Sequence, residues 1–152
     1  MIQESAPHLY QNFWDEFIKY CRIHGTTLHL NSGSRRKHLP ISIGKGGFSV
    51  NPDIYRKSQH VECTLWIDGY KAQAFSELKS REPEIVDKLR ERMGERLGKV
   101  CFDKSQGGRA FKIFESMQCE LSDRKAWPAA HKWLKEHCEA YVAVFTTIVK
   151  GL

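Results

Sequence analysis

The sequence predicts an α+β domain, an antiparallel β-meander sheet with N-terminal and C-terminal helices packed on one face. Three observations carry that prediction. Leu9, Phe13, Phe17 and Cys21 recur every four residues, with Trp14 and Ile18 beside them, which is one apolar stripe of a helix. Residues 26–67 switch to period two, the spacing of strands with one buried face. A second helical stripe, Trp127, Ala130, Leu134, Cys138, Tyr141, Phe145 and Ile148, follows later in the chain.

The first helix is expected from Pro7 to Ile23, with Pro7 in its first turn and Gly25 as its stop. Thr26–Leu30 reads as a short strand. Leu39, Ile41 and Ile43 alternate with polar or exposed-type positions, and Gly44-Lys45-Gly46-Gly47 turns the chain into Phe48 and Val50. Pro40 removes a ladder donor, which places its strand at an edge or points the missing N–H outward. Asn51-Pro52 reads as a break, and Val61, Cys63, Leu65 and Ile67 form the next strand. Helices are expected over Tyr70–Lys79 and Pro83–Arg96, then strands over Lys99–Phe102 and Arg109–Glu115 around Gln106-Gly107-Gly108. Ser122 or Asp123 can cap a helical turn before the last helix, Pro128–Val149. The whole of 1–152 reads as a single domain without repeat, linker or low-complexity tract. The expected inward set is Phe13, Phe17, Ile41, Ile43, Cys63, Leu65, Leu134, Tyr141 and Phe145.

A 152-residue chain with 41% hydrophobic and 28% charged residues has a globular balance and enough length to bury a core. It contains no long apolar run and no signal-like N-terminus, so neither a membrane partner nor secretion is expected. Five widely spaced cysteines without Cys-x-x-Cys read as reduced thiols in the cytoplasm. The net charge is +6, and residues 33–57 hold six cations against Asp53, a net +5. Such clustering attracts phosphate. The candidate nucleic-acid-binding residues are therefore Arg35, Arg36, Lys37, Lys45, Arg56 and Lys57, with Lys104 and Arg109 as weaker members. They either meet at one sheet edge or form a stripe along the sheet, because hairpin ends alternate. The plain alternative is a set of solvated loops.

Motifs for chemistry are sparse. Gly44-Lys45-Gly46-Gly47 is similar to the Gly-x-x-Gly loop of KH-type RNA-binding domains, but the alternation after it suits a hairpin turn. A restriction-type nuclease core needs an Asp, then Glu-x-Lys on a neighbouring strand. Asp53 and Glu62-Cys63-Thr64 approach it, without the lysine. Cys21-x-x-His24 with His131, His137 and Cys138 does not gather the four ligands zinc wants. No phosphate-binding or dinucleotide loop and no nucleophile elbow is present. No cofactor, metal or catalytic residue is assigned.

His38-Leu39-Pro40-Ile41-Ser42-Ile43-Gly44 with Gly46-Gly47-Phe48 resembles the central hairpin of a bacterial and archaeal domain-of-unknown-function family. Leu65-Trp66-Ile67-Asp68, Phe111-Lys112-Ile113, Leu121-Ser122-Asp123-Arg124, Trp127-Pro128 and Trp133-Leu134 extend the likeness over nearly the whole chain. Thr64 stands where that family usually has an acid, Glu62 lies two places earlier, and Lys112 replaces an arginine. The family is often appended to restriction-endonuclease-like nuclease domains and sometimes stands alone. The resemblance implies a non-catalytic accessory role near nucleic-acid processing or phage defence. The partners it implies are a DNA or RNA backbone and a nuclease or other protein. The rival expectations are a pure protein–protein or self-association module, and a small metal-dependent hydrolase using Glu62 or Asp68.

Overall fold

The computed structural model describes residues 5–152. The elements run α1 (Ala6–His24), β1 (Ile41–Ser42), β2 (Phe48–Tyr55), β3 (His60–Asp68), α2 (Ala72–Ser80), α3 (Glu82–Met93), β4 (Cys101–Lys104), β5 (Ala110–Gln118) and α4 (Trp127–Lys150). The strands form one sheet in the order β1-β2-β3-β5-β4, every neighbouring pair antiparallel. This is the predicted α+β architecture, with the helices at both ends of the chain on the core side.

Period two sorts the strands into two faces. Val50, Ile54, Val61, Cys63, Leu65, Ile67 and Ile113 turn inward and are fully buried. Against them α4 lays Leu134, Cys138, Tyr141 and Phe145, with Cys138 Sγ 3.5 Å from Cys63 Sγ. α1 packs behind α4 through Phe13, Trp14 and Phe17, and Phe13 meets Trp127 edge-on at 5.1 Å. α2 adds Phe75, stacked on Phe111 of β5 at 4.6 Å. All nine predicted inward residues are buried.

Two local expectations are corrected. Thr26–Leu30 is not a strand: Thr26 Oγ1 and the Thr27 N–H donate to the Glu139 carboxylate on α4 at 2.8 and 3.1 Å, while Leu28 sinks into the core. The alternation there marks an irregular loop with one buried leucine. The sheet is nonetheless built mainly from residues 26–67, which supply β1, β2 and nearly all of β3, while β5 inserts between β3 and β4 and forms part of its centre. Asn51-Pro52 is not a break but lies inside β2, opposite Thr64 and Cys63. Pro52 is tolerated because its missing donor points toward the short edge strand. Its carbonyl accepts from Leu39 N–H at 3.1 Å, and the return bond is the one proline cannot make. Pro40 lies just ahead of β1, between it and the His38–Asp53 bridge, on the edge side of the sheet. Gly44 and Gly47 turn β1 into β2 with φ of 80° and 88°, a backbone that favours glycine.

Candidate functional site on the open face of the sheet

The sheet face turned away from the helices carries a different chemistry. β2 presents Ser49, Asn51, Asp53 and Tyr55 there, and β3 presents His60, Glu62, Thr64 and Trp66. β5 presents Lys112 and Phe114. Register does the assembly. Asp53 is the cross-strand partner of Glu62, Asn51 of Thr64, and Trp66 of Lys112. Despite facing away from the core, Asp53 and Glu62 are only 4% and 5% exposed and Thr64 is fully buried.

A buried carboxylate needs partners. Glu62 has three: Lys112 Nζ at 2.8 Å and, more distantly, the Thr64 hydroxyl at 3.5 Å on one oxygen, and His60 Nε2 at 2.9 Å on the other. The Ser58 hydroxyl lies 2.8 Å from His60 Nδ1 and orients the ring. Tyr55 stacks on His60 at 4.5 Å, and the Lys37 ammonium lies 4.3 Å from the Tyr55 ring centre. Lys112 sits over Phe114 at 4.2 Å and reaches the Tyr55 hydroxyl at 3.4 Å. Asp53 has weaker support. Burial, and then the Glu62 charge, push its carboxyl up from 3.8 to about 7, against the pull of Lys37, Lys112 and the Thr64 hydroxyl. Burial, then Arg36 and Lys37, hold His38 below the usual histidine range.

Of these groups, Lys37, His38, Asp53, Tyr55 and Lys112 line a cavity of about 340 Å³, within the roughly 300–1,000 Å³ span of small-ligand sites. Asn51, Asp53 and Ser105 are its buried polar residues; Lys37, Pro40 and Gln106 are exposed at its rim. Trp66 forms a wall, its Nε1–H donating to Asp68 Oδ1 at 3.2 Å.

Sequence reading located Asp53 and Glu62 but found no lysine two places beyond Glu62. The structure brings one from another strand, Lys112 of β5. The pattern Phe111-Lys112-Ile113 hinted at it, since one cation between two inward apolar residues must point to the open face. Asp53 also sits in β2 rather than in a turn. Among the described residues, no group of three or more His, Cys, Asp or Glu side chains is placed to hold a metal ion. Asp68, the other acid singled out, accepts from Trp66.

The predicted cations divide between the two ends of the sheet. Ile54 N–H donates to Lys37 O at 2.8 Å and Trp14 Nε1 to Arg36 O at 2.9 Å. These bonds hold Arg35, Arg36 and Lys37 beside the β2–β3 turn, which carries Arg56 and Lys57. Lys45 lies at the opposite end, in the β1–β2 turn, and its Nζ donates to the Leu152 carbonyl at 2.9 Å. Lys104 and Arg109, at the β4–β5 turn, are on the Lys45 end, because Ala110 pairs with Asp68 and Phe48 with Ile67.

A second polar cluster escaped the sequence reading. Glu115 projects from β5 into the core and is 2% exposed. Tyr141 OH and Gly98 N–H donate to it at 2.9 and 2.8 Å, and His137 Nε2 lies 3.3 Å away at ion-pair distance, without an aligned hydrogen bond. Burial pushes the Glu115 carboxyl up, but His137, Gly98 and Tyr141 together hold it below the ordinary range. The available signal was a charged residue at an inward position after Phe111 and Ile113, with His137 and Tyr141 four apart on the α4 stripe. No helix of the described residues is long and apolar enough to cross a membrane.

Comparison with known proteins adds little about function. No curated protein sequence matches the chain. Among solved structures, a chain of the HopA1–SchA chaperone–effector complex aligns at TM-score 0.44 and 8% identity, covering 95% of this chain and 96% of that one. YbjN from E. coli aligns at TM-score 0.38 and 10% identity, covering 90% and 92%. Likeness this weak says nothing of what either chain does. The family comparison is decisive: the domain of unknown function DUF4268 matches residues 9–149, and the chain belongs to that family.

Proposed function

We propose that this protein is a nucleic-acid-binding accessory module that grips a phosphate backbone at the Arg35–Lys37 and Arg56–Lys57 end of its sheet. In this reading a nuclease or other protein partner performs any chemistry. The observation that carries it is the register bond from Ile54 N–H to Lys37 O. It brings two basic segments about 20 residues apart in sequence to one end of the sheet, beside the mouth of the open-face cavity. Clustered cations on fixed backbone suit phosphate, which sets position and affinity without reading sequence. Lys45, Lys104 and Arg109 extend the field to the other end, so a long strand would lie along the sheet. The Glu62 oxygens are occupied by Lys112 and His60, which favours a binding role over a metal-dependent hydrolase.

Labelled single- and double-stranded oligonucleotides titrated at two salt concentrations test it. The expected result is sequence-independent binding, on the order of micromolar at moderate salt and falling steeply as salt rises. Reversing Arg35, Arg36 and Lys57 to Glu should weaken it while leaving the fold intact, because all three side chains are exposed. No binding at low salt, or equal binding by the reversed variant, would leave a protein-partner or self-association role in its place.

A further inference from the structure

We propose that the open-face cavity receives one unpaired nucleobase of the bound strand, its polar edge toward Asn51 and Asp53 and its ring against Trp66. This rests on the backbone-binding reading above and assigns the strand a second point of contact.

Charge balance selects the class of occupant. Two carboxylates, Asp53 and Glu62, face two ammonium groups, Lys37 and Lys112, in and around the cavity. A phosphate placed inside would meet Asp53, and a guanidinium would meet both lysines and the cationic rim. A neutral, hydrogen-bonding group meets neither objection. Asn51 supplies the direction. It is 6% exposed and lines the cavity. Its Oδ1 accepts from Ser49 Oγ at 2.8 Å, which fixes the amide and leaves Nδ2 with no partner among the described residues. That donor lies one strand position pair from the Asp53 carboxyl, an acceptor. Donor and acceptor on one buried floor match the edge of a nucleobase, which offers both.

The walls fit the ring. Trp66 is held by Asp68, so its indole face is a fixed platform, and Pro40 contributes an apolar rim. Bases stack on such aromatic faces regardless of their identity. Because Asn51 and Asp53 are buried beneath the rim, a base can reach them only out of its stack, which favours a single strand over a duplex. Lys37, at the rim, belongs to the cationic end, so a base in the cavity places its own phosphates on Arg35–Lys37.

The test compares a short single-stranded oligonucleotide with a strand of equal length made wholly of abasic units, by fluorescence anisotropy at low salt. Wild type should bind the base-bearing strand about ten-fold more tightly. Asn51→Ala and Trp66→Leu should erase that preference, whereas Trp66→Phe, which keeps a ring, should retain most of it and so separates loss of stacking from loss of folding. The Arg35, Arg36 and Lys57 reversal should weaken both strands alike. Equal wild-type affinity for the two strands, or an undiminished preference in Asn51→Ala and Trp66→Leu, would overturn the cavity assignment. If reversal still weakened binding, the backbone reading would stand alone. Failure of both strands to bind at low salt would remove both readings.

Discussion

Replacing Asp53 with Asn should stabilise the protein, and increasingly so as pH rises. Asp53 is buried beside Glu62, and its carboxyl moves from 3.8 to about 7 on folding. A raised carboxyl means that the folded state holds its proton more tightly than the unfolded state does, so stability falls as pH climbs between those two values and levels off above the second. At 1.36 kcal/mol per pKa unit, the full penalty at alkaline pH is about 4 kcal/mol, and about 2–3 kcal/mol of it develops between about pH 5 and pH 8. Lys37, Lys112 and the Thr64 hydroxyl face the same carboxyl and already oppose the shift. Asn preserves the shape and one oxygen acceptor, and removes the charge. Urea unfolding of wild type and Asp53→Asn at a series of pH values measures the gap directly, because the histidines and other acids titrate in both proteins and largely cancel. The gap should widen by about 2–3 kcal/mol over that pH range, in favour of Asn. Parallel curves, or an Asn variant that loses ground as pH rises, would refute the reasoning. A buried charge retained at a net loss of stability is the pattern expected of a residue kept for binding.

Two further substitutions probe the polar clusters. Lys112→Met strands Glu62 beneath Tyr55 with only His60 and the distant Thr64 hydroxyl as partners, and should destabilise by about 3–5 kcal/mol. The double change Glu62→Gln with Lys112→Met should recover a large part of that loss in the same unfolding assay. Tyr141→Phe removes one donor to Glu115 and should cost about 1–3 kcal/mol. Because the native carboxyl is held below its ordinary range, the loss should be full at neutral pH and shrink as pH falls through that range.

The fold was legible where periodicity was long. α1 and α4 have unbroken apolar stripes, and their predicted ends fall within a residue of those observed. The alternation of Val61–Ile67 gave both the strand and its inward face, because a one-residue slip would have inverted every side chain. Short signals failed. Thr26–Leu30 alternates over too few residues to distinguish a strand from a loop burying Leu28, and the Glu139 carboxylate that satisfies its backbone lies over 100 residues away. Pro52 reads as a break because sequence does not reveal that its missing N–H faces a two-residue edge strand. The site was half legible for the same reason. Asp53 and Glu62 stand near each other in sequence, but Lys112 reaches Glu62 only because β5, rather than β4, is the neighbour of β3. The basic segment was visible as composition; its division between the two ends of the sheet follows from strand direction, which composition does not carry.

The central claim is that nucleic acid engages one end and the open face of the sheet. Backbone amide shift mapping of the labelled protein against a short single-stranded oligonucleotide tests it most directly. The account predicts perturbations concentrated at residues 35–38, 51–57 and 66, reversed by added salt at 35–37 and 56–57, with the exposed face of α4 unchanged. Perturbations confined to α3 and α4, or none at low salt, would contradict it.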